Sequence, residues 1–498
     1  MKNQILAILF CACFLSLSGQ EANILLNRDF WRSSPDVETI KEKIKAGNDP
    51  VAMTPFAFDA TTYSIIDKAP IESTKYLLSL AGNEVSKITH DGRNYLLWAA
   101  YAGNVELVEY LIEKGSDINL VDDHGYAVIP FCATTGQSNT KVYDVLIKNG
   151  ADLNSTNRDG ANSILLIAKH LNEDLSMIDY FQSKGLKIDS KDSEGNGLFN
   201  YAAVKGNKVL MEKAIELGLP YKEENENGGN AMIFASRGYR GSVNPLSIYE
   251  YMEDLGIKAN VVTKDGETPL HNIARRAKDP AIYEFFIKKD IDINQADASG
   301  NTMLLNAVNG SNNEIAMEYM DKVEDINHQN KDGHSALTYA VRRNNIALMK
   351  ALMKEGADAS VLDKDGNNLA AHLFQTYNDR NQDAFDEVLT SLQKEKVKFD
   401  VKQAKGNTLV HIAVDKNSEF LLNQALAMGG DLDVKNDDGL APIHLAVMKA
   451  KDSSMINLLI NKGADKSLKT DFEESVYDLA AENELLKKTG FDLDILKR

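Results

Sequence analysis

The chain has 498 residues, 43% of them hydrophobic, and its 73 acidic against 55 basic side chains leave a net charge of −18 at pH 7. An acidic chain of this size is excluded as a general binder of nucleic acid or anionic membrane, although a local basic patch remains compatible with it. Length alone would suggest about three domains, but a repeating pattern described below overrides that expectation.

In chain order, the first element is a short apolar segment. Lys2 precedes an apolar run from Ile5 to Leu17, and Ser16-Leu17-Ser18-Gly19-Gln20 supplies small residues. This is the pattern of a secretion signal spanning residues 1–19, cut near Gly19. The run is too short to span a bilayer comfortably, so no stable membrane insertion is expected once it is removed. Cys11 and Cys13 raise the alternative of a lipid anchor, but Phe10-Cys11-Ala12 ahead of Cys13 is a poor context for one. Removal of 1–19 takes away Lys2 and two cysteines, which leaves a net charge of −19 and a single thiol, Cys132. No intramolecular disulfide is then available, and an exported protein, periplasmic or secreted, must stabilise itself by packing.

Residues 20–51 read as a starting half-repeat, with Phe30-Trp31 and the capped run Ser34-Pro35-Asp36-Val37-Glu38-Thr39-Ile40-Lys41 as its helical part. Residues 52–472 carry the repeats. Turn glycines at 92, 125, 160, 195, 228, 266, 300, 333, 366, 406 and 439 are separated by 33, 35, 35, 33, 38, 34, 33, 33, 40 and 33 residues. Each turn, with a glycine free to take positive φ, leads into a short apolar helix with small residues such as Ala99-Ala100, Ala202-Ala203, Ala340 and Ala446. A polar break and an amphipathic second helix follow, as in Val105–Glu113 after the capping residue Asn104, or after Asp279-Pro280. Two longer spacings fall on Tyr239-Arg240-Gly241-Ser242-Val243-Asn244-Pro245 and on Tyr377-Asn378-Asp379-Arg380-Asn381-Gln382, where the loop between the helices lengthens. Residues 473–498 read as a closing unit, because an array needs ends that differ from its middle.

A period near 33, the run Thr268-Pro269-Leu270-His271 and the run Gly150-Ala151-Asp152-Leu153-Asn154 together resemble the ankyrin repeat, from about Arg28 to Ala481. Many copies are degenerate; Gly125, for example, is followed by Tyr126-Ala127-Val128-Ile129-Pro130. The resemblance implies an all-α, ankyrin-type solenoid of about thirteen stacked helix-turn-helix repeats, with turn or hairpin fingers and terminal caps. It also implies that His271, His411 and His444, which share one slot, serve hydrogen bonding between adjacent turns. Its functional implication is a non-enzymatic scaffold that binds another protein through a groove and turn tips. It implies no cofactor, no metal and no catalytic residue.

The residues point to two candidate surfaces. Arg237, Arg275-Arg276 and Arg342-Arg343 stand at the ends of first helices in the Gly228, Gly266 and Gly333 repeats. Same-slot residues in stacked units face one way, so these guanidiniums line a groove suited to a carboxylate- or phosphate-bearing partner. The plainer account is that cations offset a helix dipole by about 0.3–1 kcal/mol each. Tyr101 and Tyr126 offer an aromatic surface, against ordinary packing as the alternative. His90, His124 and His334 sit beside turn glycines, on loop tips. Acidic pairs such as Asp122-Asp123 and Asp437-Asp438 lie where the turn itself wants Asp or Asn, and none forms a dedicated calcium loop. Cys132 falls in the small-residue slot of Ala99 and Ala340, as a helix-packing thiol. A groove-based enzyme or small-ligand binder is the alternative reading; it requires a polar pocket with converging, strongly shifted acids or bases.

Overall fold

The computed structural model describes residues 23–497, so the 1–19 segment with Cys11 and Cys13 lies outside the described residues. The described residues divide into two compact units, 23–202 with 207–221 and 203–206 with 222–497. Each is a stack of helix pairs, and the described residues contain no β-strand, only four isolated bridges such as Thr89 with Arg93. The fold is an all-α repeat architecture.

The repeat begins with a side chain. In the Gly125 repeat the Asp122 carboxylate accepts the backbone amides of His124 (3.0 Å) and Tyr126 (2.9 Å), and the Asp122 amide donates to the Tyr126 carbonyl (3.0 Å). Closing the turn this way places Gly125 at φ +83°, a left-handed conformation that favours glycine. The helix Val128–Thr135 starts three residues later. Asp192, Asn330, Asp363 and Asn436 build the same turn. Successive fingers within a unit are tied by single backbone bonds, such as Asp123 N–H to the Asp91 carbonyl (2.9 Å) and Lys364 N–H to the Asp332 carbonyl (3.0 Å).

First helices are short, from the five residues of Pro269–Ile273 to the eight of Tyr95–Ala102. Helices of that length are not stable alone. They stack directly on the first helices of neighbouring repeats, and the position five residues after the cap is small where they meet: Ala99, Cys132, Ala340 and Ala446 are all buried. Burial also raises the Cys132 thiol pKa, which fits the packing role and not a reactive one.

Second helices bury one face. Val105–Glu113 is capped by Asn104, whose side chain accepts the Leu107 amide (3.0 Å), and it buries Leu107, Val108 and Leu111. Pro280–Ile287 opens on Asp279 and Pro280 as the sequence predicts. Asparagines at the start of second helices also bind the preceding repeat. The Asn312 amide donates to the carbonyls of Ala274 (2.9 Å) and Ala277 (2.7 Å), and the Asn483 amide to those of Val447 (2.9 Å) and Ala450 (2.8 Å).

The shared histidine slot does what the resemblance implies. His271, His411 and His444 each accept the amide of their own cap residue at Nδ1 (3.0–3.1 Å). Their Nε2 atoms lie 3.0, 2.9 and 3.1 Å from the carbonyls of Asn301, Leu440 and Leu468 in the next repeat. The two long spacings resolve differently. Tyr239–Ser242 closes a tight turn with Arg240 and Gly241 at positive φ. At 377–382, only a short 3-10 turn, Asp379–Asn381, sits in the loop, and the second helix Gln382–Lys394 takes up the rest, with thirteen residues against nine in Ile346–Lys354. The sequence places all of that insertion in the loop; a continuous amphipathic face through Phe385, Val388, Leu389 and Leu392 makes most of it helix.

At the start of the described residues, Arg28–Arg32 and Val37–Lys45 pack with the helix pair that follows, around the fully buried Trp31, whose indole N–H donates to the Leu25 carbonyl (2.8 Å). The last pair is Val476–Glu482 and Glu484–Lys488.

Two predictions come from this packing. Gly333 and Gly366 both hold positive φ (+77° and +85°), so alanine at either position costs about 1–2 kcal/mol for the left-handed backbone. Only at Gly333 would the new Cβ also meet the next finger, 2.6 Å from the Asp363 Cα, whereas nothing lies within 4 Å at Gly366. G333A is expected to lower the urea midpoint clearly more than G366A; equal losses would refute close finger stacking. The second concerns pH. Burial lowers the pKa of His271, His411 and His444. Below about pH 6.5 the unfolded chain takes up protons at these sites that the folded chain refuses. Stability is therefore expected to fall as pH drops from about 6.5, and a triple His→Gln variant should show a flatter fall in Tm over pH 7 to 5.

Candidate functional site

Counting from the helix cap gives each side chain a column. Tyr101, Arg237, Arg275 and Arg342 all stand seven residues after their caps, and Arg276 and Arg343 eight. The two tyrosines belong to the first unit and the five arginines to the second.

The arginines have different fates. Arg237, at the end of Ala231–Arg237, forks onto Glu267 with contacts of 2.9 and 3.3 Å and lies over the Phe234 ring. Its charge is already matched. Arg275 and Arg276 lie just past the helix Pro269–Ile273, both exposed, and among the described residues neither has an ion-pair partner. Arg342 ends Ala336–Arg342 and donates to His334 Nε2 (3.3 Å). Arg343 donates to the Asn309 carbonyl (2.6 Å) and side-chain oxygen (3.2 Å). Arg342 and Arg343 thus meet only uncharged acceptors.

The intervening Gly300 repeat brings these residues together. Asn309 occupies the same column as the arginines and holds Arg343. Beside it, a Cβ on Gly310 would come within 2.7 Å of the Arg275 Cα and carbonyl oxygen. Arg275, Asn309-Gly310 and Arg343 therefore run across three consecutive repeats in contact. Lys278 adds a further exposed cation, 3.9 Å from an equally exposed Glu314.

In the first unit, Tyr101 is 39% exposed and closes an aromatic group with Trp98 and Phe131, at ring centroid distances of 6.2 Å to each. Arg93 lies over Phe131 (4.5 Å) and Trp98 (5.1 Å) and is held by Asp122 (2.8 Å) and Asp91 (3.0 Å). Tyr126, half-buried beside Gly125, has no ring contact with this group among the described residues. Of the turn-tip histidines, His90 is stacked on Phe58 (4.2 Å) and bonded to the Phe56 carbonyl (2.9 Å), whereas His124 is exposed, 3.2 Å from Asp91.

Comparison with known proteins bears on the family. A family model described as "Ankyrin repeats (3 copies)" matches residues 64–157 and 374–470, and one described as "Ankyrin repeat" matches residues 332–365. The chain carries ankyrin repeats across these residues. Among solved structures, the human ASB11 ankyrin repeat domain is similar at 19% identity, with 46% of this chain and 98% of that chain covered and a TM-score of 0.38. No curated protein matches the sequence significantly. Ankyrin repeats are generally protein–protein interaction modules, and among the described residues no helix is long and apolar enough to cross a membrane.

Two features of this ankyrin array escape motif-level reading. The residue just before the turn is an exposed apolar side chain in three successive fingers of the first unit: Met53 (40%), Ile88 (49%) and Val121 (56%). Numbering from the turn would have exposed that column; hydrophobic periodicity hides it, because the three residues lie one repeat apart. The second feature is a convergence of His334, Asp363 and His372, whose candidate ligand atoms all lie within 4.8 Å of one another. His334 follows Gly333 in one finger, Asp363 opens the next, and His372 lies on the helix Leu369–Gln375. Burial, then the nearby Arg342 charge, lowers the His334 pKa, and burial does the same to His372. Burial alone would raise Asp363, but hydrogen bonds from Asn367 and the neighbouring His372 outweigh it and hold its pKa low.

The enzyme alternative needs converging shifted groups in a pocket. A depression of 830 Å³ between Ile346–Lys354 and Gln382–Lys394 is lined by Lys350, Lys354, Asp386, Glu387, Thr390 and Lys394 among others. Burial raises the pKa of Asp386 there, but its carboxylate meets the Gln424 amide at 3.3 Å and no nucleophile–base pair. That arrangement offers mixed surface charge and no catalytic constellation.

Proposed function

We propose that this chain is a protein-binding scaffold whose second unit recognises an acidic or phosphate-bearing surface through Arg275, Arg276, Arg342 and Arg343. The observation that carries this reading is a local charge imbalance. In a chain of net charge −18, these four guanidiniums meet no carboxylate among the described residues, while Arg237 in the same column is matched by Glu267. Guanidinium forks suit bidentate carboxylate or phosphate contacts. The backbone that presents them is held by repeat packing, so little order is lost on binding. Arg237 contributes by packing and ion pairing, and drops out of the binding set.

Tyr101 and Tyr126, together with the exposed Ile88 and Val121 of the chain's first unit, support apolar contacts there as a second reading. Export is part of the same reading: the charge and small-residue pattern of 1–19 supports cleavage near Gly19 and a periplasmic or secreted location.

The test is affinity capture from the native cell envelope with the mature chain, alongside R275E/R276E/R342E/R343E. The wild type is expected to retain a partner that elutes with rising salt and that the reversed variant, of unchanged Tm, fails to hold. Recovery of the same partner at the same salt sensitivity would reject the arginine surface. For export, N-terminal sequencing of envelope-fraction protein is expected to begin at or near Gln20; an intact Met1 in the cytosolic fraction would reject it.

A further inference from the structure

The helix Leu369–Gln375 carries a histidine in an unusual position. His271, His411 and His444 stand three residues after their caps and satisfy both ring nitrogens. His372 stands four residues after its cap, Asn368. One residue turns a side chain by about 100° around the helix, which carries His372 off the shared slot and towards the turn.

Other residues four after their caps reach back to the same place and are satisfied there. The Trp98 indole donates to the Thr89 hydroxyl (2.8 Å), the Tyr201 hydroxyl to Asp192 (2.9 Å), and the Tyr339 hydroxyl accepts from Asn330 (3.1 Å). His372 approaches the equivalent residue, Asp363, at 3.1 Å. That contact pairs Nε2 with the carboxylate, but Nδ1 has no hydrogen-bond partner among the described residues, although the side chain is only 3% exposed. A buried polar group left unsatisfied costs about 1–3 kcal/mol, and such groups are rare enough to call for a reason.

The surroundings offer one. Across from His372, the His334 ring stands edge-on at 5.1 Å between centroids. Asp363 is oriented from behind: Asn367 donates its side-chain amide to Oδ2 (2.9 Å), and the backbone amides of Asp365 and Asn367 fix Oδ1. A carboxylate held by such contacts has the second layer typical of a ligating group. We propose that His334, Asp363 and His372 form a binding site for a divalent transition cation of the zinc class, bridging the fingers of the Gly333 and Gly366 repeats.

Two imidazoles and one carboxylate suit Zn²⁺, whereas Ca²⁺ and Mg²⁺ call for sets of oxygens. Bonds of about 2.0–2.2 Å need the three ligand atoms drawn closer than their present limit of 4.8 Å. His334, on a half-exposed finger, is the group free to make that movement. One neighbour opposes the ion. Arg342 donates to His334 Nε2, and that lone pair serves either the guanidinium or the metal. Binding therefore releases Arg342 into solvent, and the two are competitors. This inference stands on the histidine geometry and is independent of the partner proposed for the arginine surface.

The experiment uses untagged full-length mature protein titrated with ZnCl₂ by calorimetry, and with CoCl₂ by visible absorption. Wild type is expected to bind one equivalent saturably and to gain thermal stability with zinc. Two variants remove ligands without removing the fold. D363N keeps the turn acceptor, since Asn330 and Asn436 already serve there, and H372Y places in this helix the residue type found at Tyr339. Each should weaken zinc binding by more than about tenfold, with the helical circular dichroism unchanged. R342A should tighten it, which a merely structural histidine would not produce. Absence of saturable one-to-one binding overturns the proposal. So does binding that D363N and H372Y leave intact, because the ion would then sit elsewhere.

Discussion

In most repeats the structure hangs on one side-chain oxygen in the turn. An Asp or Asn accepts the amides two and four residues ahead, as Asp122, Asp363 and Asn436 do. That closure forces a left-handed residue three positions on, lines up the next finger's backbone for a single inter-repeat bond, and fixes where the first helix begins. The helix is too short to hold itself, so its stability comes from neighbours stacked at small residues such as Ala340. The glycine matters twice at Gly333, where a side chain would strike the following finger. Without the closed turn there is neither a defined helix start nor a defined spacing to the next repeat.

Because spacing is fixed, position within the repeat has physical meaning. Three residues after the cap is an internal hydrogen-bonding slot, filled by His271, His411 and His444. Four after the cap looks back at the turn, and takes Trp98, Tyr201, Tyr339 and His372. Seven after the cap reaches the outer end of the first helix, and takes Tyr101, Arg237, Arg275 and Arg342. Chemistry appears as a departure within a column: a ring with an unsatisfied nitrogen where others are bonded, or, among the described residues, a guanidinium with no carboxylate where its neighbour has one.

This explains what the sequence shows and what it conceals. The turn glycines are legible because few other residues tolerate their backbone, and the caps Asn104 and Asp279 because short polar side chains at helix starts have a specific task. The pairing of Arg237 with Glu267 spans 30 residues, invisible to local pattern and yet implied by the period, since the second follows the turn glycine of the next repeat. The insertion after Tyr377 looks like loop because Asn378, Asp379 and Asn381 are turn formers. The amphipathic face from Phe385 to Leu392 proves stronger and extends the helix. His334 is legible only as a turn-tip histidine. Its meeting with His372 depends on a one-residue offset from the shared slot, which has no signature in composition or motif.

The arginines of the second unit show how a repeat protein can concentrate charge without repelling itself. A third arginine between Arg275 and Arg342, in the same column, would place three like charges on successive steps about 8–10 Å apart, roughly one Debye length in physiological salt. The chain has Asn309 there, which spaces the cations and also orients Arg343 through its carbonyl and side chain. Gly310 then lets the Arg275 backbone approach within a distance that any side chain would block. Asn309 and Gly310 thus act together, one neutral and hydrogen-bonding, the other absent of bulk, to bring two basic segments close. A helix-dipole role alone would not require that arrangement, because Arg275 and Arg276 lie beyond the last helical residue, Ile273, and a dipole offset does not call for a spacer in the repeat between.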